Sequence, residues 1–225
     1  MSSSLKSLGS ISAATRRELI LDRLRTAIST GELAPGTHLA EIELSEALGV
    51  SRGTLREALR HLQQDGLLTS DSRGRLSVRV VSATEVAEIF DVRCALETLA
   101  FQAICSREDR SEITAELRKA LEKLRYTEGD FGAQIEADLG LHERMCELSG
   151  NATLHHTWTG VSGLARAAIT AAGSPTALAN MSYARHLPIV TLIESGDVEG
   201  GSAFLRAHMH DAAERIVATM NASTG

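Results

Sequence analysis

Apolar positions along the chain fall into two successive regimes. Residues 15–30 place Leu19, Ile20, Leu24 and Ile28 at three- and four-residue steps with charges between them, which predicts an amphipathic helix. Gly31 closes that helix and Pro35-Gly36 marks a turn. Ile42, Leu44 and Leu48 predict a short helix over 41–48, broken at Gly49. Ser51 is placed to cap a further helix running to Gln64, with Leu55, Ala58, Leu59 and Leu62 on one face and Gly66 as its stop. Extended runs at 67–70 and 76–81, either side of Gly74, predict a two-stranded hairpin. Ser82 with Glu85 three places on forms a capping-box signature for a helix from about 83. Beyond it the period stays helical: 84–106, 109–126, 131–149, 152–171 capped by Asn151, 184–195 and 198–221, with the Gly-Ser-Pro-Thr of 173–176 as a break.

This order predicts a mostly α protein. A flexible lead-in (1–14) precedes a winged helix-turn-helix with a small β-hairpin (15–80), and an all-α bundle follows (81–225). The chain has 225 residues, 43% of them hydrophobic, enough to bury a substantial core. No run approaches a membrane span, and the start lacks the apolar stretch of a secretory signal. Cys94, Cys105 and Cys146 have no metal or redox spacing, which fits a reduced, cytoplasmic protein.

The net charge of −6 argues against nucleic acid only until it is divided. Residues 1–80 hold 11 Lys+Arg against 9 Asp+Glu, whereas 81–225 hold 12 against 20. A small basic module joined to an acidic one suggests divided labour. At the start of the helix after Gly49, Arg52 and Arg56 lie one turn apart, each a planar fork suited to guanine or phosphate. Ser51 and Thr54 can donate to phosphate beside that helix N-terminus. Arg73 and Arg75 flank Gly74 at the hairpin tip. Ser51, Arg52, Thr54, Arg56, Arg73, Gly74 and Arg75 are therefore the candidate contacts to double-stranded DNA. The competing reading is a solvated face with local pairs such as Arg56 and Arg60 against Glu57.

The segment Ile28–Leu68 resembles the DNA-binding domain of GntR-family regulators. The resemblance rests on Gly31, Pro35-Gly36, Leu39, Glu41, Leu44, Leu48-Gly49-Val50-Ser51-Arg52, Leu55-Arg56-Glu57-Ala58-Leu59, Leu62 and Gly66-Leu67. It departs at Gly53-Thr54, where many members carry Thr-Pro, and that bears on base preference. It implies DNA contacts at Ser51, Arg52, Arg56 and Gly74. Residues 84–222 resemble the all-helical effector (FCD) domain of the FadR-type branch, through 87–100, 137–154, 185–197 and 204–209.

Spacing alone puts Asp138 and His142 on one helix face, with His186, His208 and His210 on later helices. The resemblance implies that Asp138, His142, His186 and His208 hold a divalent ion (Zn, Ni, Mn or Fe) and that Arg93 binds an effector anion. Ala-His-Met at 207–209 selects His208 over His210. Pro188 is expected to start or kink its helix and displace His186, and Gly200-Gly201 to delay the last helix. The implied function is a homodimeric regulator on a palindromic operator, controlled by a small carboxylate-containing metabolite. Rival readings are a metal-responsive regulator and a metal-dependent hydrolase or isomerase. No motif supplies a general base for the latter, so no enzymatic activity is expected.

Overall fold

A computed structural model describes residues 16–222; the expected lead-in, 1–14, lies outside them. The described chain forms ten helices and one hairpin. In order these are α1 (Arg16–Ser29), α2 (Glu41–Ala47), α3 (Arg52–Gln64), β1 (Leu68–Ser70) and β2 (Leu76–Val78). There follow α4 (Ala83–Cys105), α5 (Ser111–Tyr126), α6 (Phe131–Leu148), α7 (Ala152–Ala171), α8 (Ser174–Asn180), α9 (Tyr183–Ser195) and α10 (Val198–Ala222).

In the N-terminal part, Leu55, Ala58, Leu59 and Leu62 of α3 are buried together with Leu24 and Ile28 of α1. β1 and β2 pair antiparallel with Leu68 opposite Val78, and His38 adds a single bridge to Ser77. β2 is shorter than the apolar run suggested. After one more cross-strand bond, Arg79 N donating to the Leu67 carbonyl, the chain buries Val81 ahead of the capping box, in which Ser82 Oγ accepts from Glu85 N and the Glu85 carboxylate accepts from Ser82 N.

The C-terminal part is a bundle organised on α4 and α10. Gly201 lets them approach: a Cβ there would sit 1.9 Å from Phe101 Cζ. Phe101 is itself fully buried. Gly200 and Gly201 therefore lie inside α10, which starts at Val198 with Asp197 Oδ1 accepting from Gly200 N. The expected late start is corrected, because close packing outweighs a propensity cost of about 1 kcal/mol per glycine.

Pro188 also lies within a helix, and His186 is not displaced. The missing N–H costs about 3 kcal/mol. Burial of Ile189, Val190 and Ile193 on the same helix offsets it at about 1.5–3 kcal/mol each. The break expected at 173–176 is a turn at Gly173 followed by α8, with Pro175 in its first turn, where proline is tolerated.

The two parts touch. The C-terminal end of α3 seats on α7, where a Cβ on Gly163 would lie 1.1 Å from the Asp65 carbonyl oxygen. Beside it, a Cβ on Gly66 would lie 2.8 Å from Leu164 Cδ2.

Candidate DNA-reading face and buried histidine cluster

Ser51 caps α3: its Oγ accepts from Thr54 N at 3.2 Å and lies 2.8 Å from Thr54 Oγ1. Arg52, the first residue of α3, is exposed and makes no ion pair among the described residues. Arg56, one turn on, is exposed and pairs through Nε with Glu41 of α2 at 2.7 Å. The local pairing expected with Glu57 belongs to Arg60 alone. In the hairpin, the Asp71 carboxylate accepts from the backbone N–H of Arg73 and Arg75 and pairs with the Arg75 side chain. Gly74 has φ +76°, the left-handed backbone that closes this tip, and nothing crowds it. Arg73 is exposed and unpaired among the described residues. Six of the seven candidates are exposed and Thr54 is half-buried, and exposed ion pairs of the Arg56 and Arg75 kind are weak enough to yield to phosphate.

The second constellation is deep in the bundle. His142 of α6, His186 of α9 and His208 of α10 are buried, with ligating nitrogens all within 4.8 Å of one another. His210, by contrast, is exposed and pairs with Glu214. His142 Nδ1 lies 2.5 Å from Glu97 Oε2, and His186 Nδ1 lies 2.9 Å from the Ser182 carbonyl. With each Nδ1–H donating to its acceptor, each Nε2 is left with its lone pair, and these two Nε2 atoms face each other at 3.2 Å. Two lone pairs do not bond to each other. A proton on one Nε2, donated to the other ring or to Asp138, or a cation shared between the rings resolves the arrangement, and a carboxylate behind the ring is the usual companion of a metal-bound imidazole. Asp138 Oδ1 is 3.0 Å from His186 Nε2, within hydrogen-bond reach of that ring, and lies outside the group of three mutually close histidines.

The surroundings favour ionised carboxylates in the cluster. Burial disfavours ionisation of Glu97, but His142 and then Arg93 more than offset it, and its carboxyl sits at about 2. Asp138 is likewise held below the ordinary aspartate value, with burial overcome by His186 and then His142 and Arg93. Burial, and then the two neighbouring imidazoles, push His208 far below the usual histidine value, so it is neutral. The two carboxylates face two guanidiniums, the buried Arg93 and the half-buried Arg185. The donor set of imidazole nitrogens and one carboxylate fits a borderline divalent ion.

Arg93 is buried, with Nε donating to Glu97 Oε1 at 3.0 Å and Nη2 lacking any acceptor. The cavity enclosed by Arg93, Asp138, His142, His186 and His208 measures about 20 Å³, room for an ion or one water.

Two participants escaped the sequence reading. Glu97 lies one turn from Arg93 and takes His142 Nδ1 on one oxygen. On its other oxygen it takes the Trp158 indole N–H at 3.0 Å. The i, i+4 spacing of Arg93 and Glu97 was the available signal for Glu97; Trp158 carried none.

A winged helix-turn-helix with a solvent-facing arginine face, joined to a helical bundle with a polar interior, defines a DNA-binding transcriptional regulator. Profiles of known families assign both parts. That of the bacterial regulatory proteins of the gntR family matches residues 16–78, and that of the FCD domain matches residues 88–211. The chain belongs to the GntR family, with an FCD domain as its second part. The Nta operon transcriptional regulator of Aminobacter aminovorans is 30% identical over 183 residues, covering 81% of this chain and 86% of that protein. The uncharacterized HTH-type regulator YdhC of Bacillus subtilis is 38% identical over 102 residues, 45% of each chain. Among solved structures, a GntR transcriptional regulator from Rhodococcus sp. RHA1 superposes with a TM-score of 0.72 at 24% identity, covering 90% of this chain and 98% of that one. No helix of the described residues is long and apolar enough to cross a membrane.

Proposed function

We propose that this regulator binds a palindromic DNA operator as a homodimer, and that a divalent ion with a small carboxylate in the FCD bundle sets its operator affinity. One observation carries the sensory half: the Nε2 atoms of His142 and His186 converge with His208 and Asp138, while Glu97 and Ser182 hold the two rings from behind. His142, His186, His208 and Asp138 would hold the ion. When bound, it supplies a Lewis-acidic position for an acidic oxygen. Arg93 Nη2, buried without an acceptor, is the donor available to the small carboxylate.

DNA contact rests on Ser51, Arg52, Thr54 and Arg56 at the start of α3 and on Arg73, Gly74 and Arg75 at the wing. Each half-site of a two-fold operator takes one copy of α3. Val92 and Leu99, one heptad apart on α4, expose apolar surface that a second copy would cover. The small size of the closed cavity favours one other reading, in which the ion alone is the signal.

The test is a gel-shift titration on DNA flanking the regulator's own coding region, with metal-free protein, metal-loaded protein, and metal plus candidate acids. Arg52→Ala should abolish the shift and keep the metal; His142→Ala should lose the metal and the response while still binding DNA. A shift that follows metal alone favours the ion as signal. A wild-type protein that takes up no divalent ion sinks the sensory half.

A further inference from the structure

The candidate DNA contacts described above belong to α3 and the wing. A further cation stands beside them on α1. Arg17, in the first turn of α1, is exposed and makes no ion pair among the described residues. Two interactions place it. Arg25 Nη2 donates to Asp65 Oδ2 at 2.8 Å, which sets the later part of α1 beside the end of α3. About two turns back on each helix, Arg17 acts on Glu57. That carboxyl is held below its ordinary value chiefly by Arg60, and the charges of His61 and Arg17 add to the effect. α1 and α3 therefore run side by side in the same direction, with position 17 level with 57 and position 25 level with 65.

Glu57 does not occupy Arg17, because its carboxylate already accepts from Arg60 Nη2 at 3.0 Å. Glu18, next along α1, lies about 100° round the helix. Exposed arginines without ion pairs occur elsewhere, as at Arg206 of α10; depth along α3 is what sets Arg17 apart. A recognition helix meets the bases through its N-terminal residues. With that end of α3 lowest in the groove, Arg52 lies deepest. The level of Glu57 is five positions behind it, roughly 7.5 Å at a rise of about 1.5 Å per residue. The major groove is about 8.5 Å deep. The start of α1 thus comes level with the lip of the groove, where the phosphates stand, while the first turn of α3 reaches base edges.

We infer that Arg17 is a phosphate-binding residue that seats the start of α1 on the DNA backbone and fixes how deeply α3 enters the groove. It is a positioning residue: a phosphate is the same beside every base, so Arg17 adds affinity without sequence preference. The inference rests on the proposed reading of DNA by α3 and adds a second helix to the contact.

The test is fluorescence anisotropy of the full-length protein on two duplexes over a series of salt concentrations. One duplex is selected by the wild-type protein from a randomised pool; the other is of random sequence. Arg17→Gln should weaken binding to both by the same factor, roughly tenfold, as for a hydrogen bond to a charged group. It should also lower the slope of log affinity against log salt by about one for each protomer bound. Arg17→Lys, which keeps the charge, should restore the slope. Arg206→Gln removes an equal charge from the bundle and should change neither quantity. A wild-type slope in Arg17→Gln, a loss confined to the selected duplex, or an equal fall in Arg206→Gln overturns the assignment and leaves the role of α3 standing. If the wild-type protein selects no sequence from the pool, the reading role of α3 falls and the assignment falls with it.

Discussion

Replacing Gly163 by alanine tests whether the helical bundle speaks to the DNA-reading helix through α7. The new Cβ would fall 1.1 Å from the Asp65 carbonyl oxygen, where ordinary contact begins near 3.4 Å. Asp65 is the C-cap of α3 and its carbonyl is backbone, so no rotamer change relieves the clash. The two elements must part by roughly 2 Å in close-packed surroundings. Overpacking of this kind costs about 1–3 kcal/mol. That corresponds to roughly a fivefold to hundred-fifty-fold shift from the seated to the released arrangement. Both cores stay intact, because Leu55, Leu59 and Leu62 on one side and Phe101 and Leu205 on the other do not involve this seat.

The consequence follows from what α7 touches. Trp158 on α7 bonds Glu97, Glu97 holds His142, and Gly163 lies about a turn and a half along the same helix. Hydrogen exchange in peptides spanning 60–67 should rise in Gly163→Ala, and the change of operator affinity on metal or acid binding should shrink while metal content stays whole. Unaltered exchange together with an unaltered response would show that α7 is not the coupling element.

Other expectations can be checked separately. Glu97→Gln keeps the shape of the carboxylate but weakens its hold on His142 and removes the partner charge of Arg93; divalent-ion affinity should fall roughly tenfold to a hundredfold in equilibrium dialysis. Gly201→Ala drives a methyl into the Phe101 ring and should lower stability by about 1–3 kcal/mol in denaturant unfolding. Gly200→Ala meets only the Asp197 side chain, which can swing away, and should be milder.

Local signals written in the sequence correspond to elements of the structure where short-range chemistry decides. The Ser51 cap, the Ser82–Glu85 box and the Asn151 cap each open the helix expected of them, because capping bonds span only three residues. Propensity misled where tertiary contact decides. Pro188 and Gly200-Gly201 read as interruptions, yet they lie inside α9 and α10, held by packing against neighbours distant in sequence. The same limit hid part of the site. His142, His186 and His208 were visible as residue types, but the acceptors behind them depend on how α4, α6, α7 and α9 converge. Glu97 and Trp158 are 61 positions apart, and no periodicity connects them.

Trp158 is the chain's sole tryptophan. Its indole N–H ends on the carboxylate that holds His142, so any event that pulls on that imidazole alters the polarity felt by one fluorophore. The protein thus carries a native optical gauge of its buried histidine chamber. Emission from the unlabelled chain reports the chamber alone, with no background from a second indole.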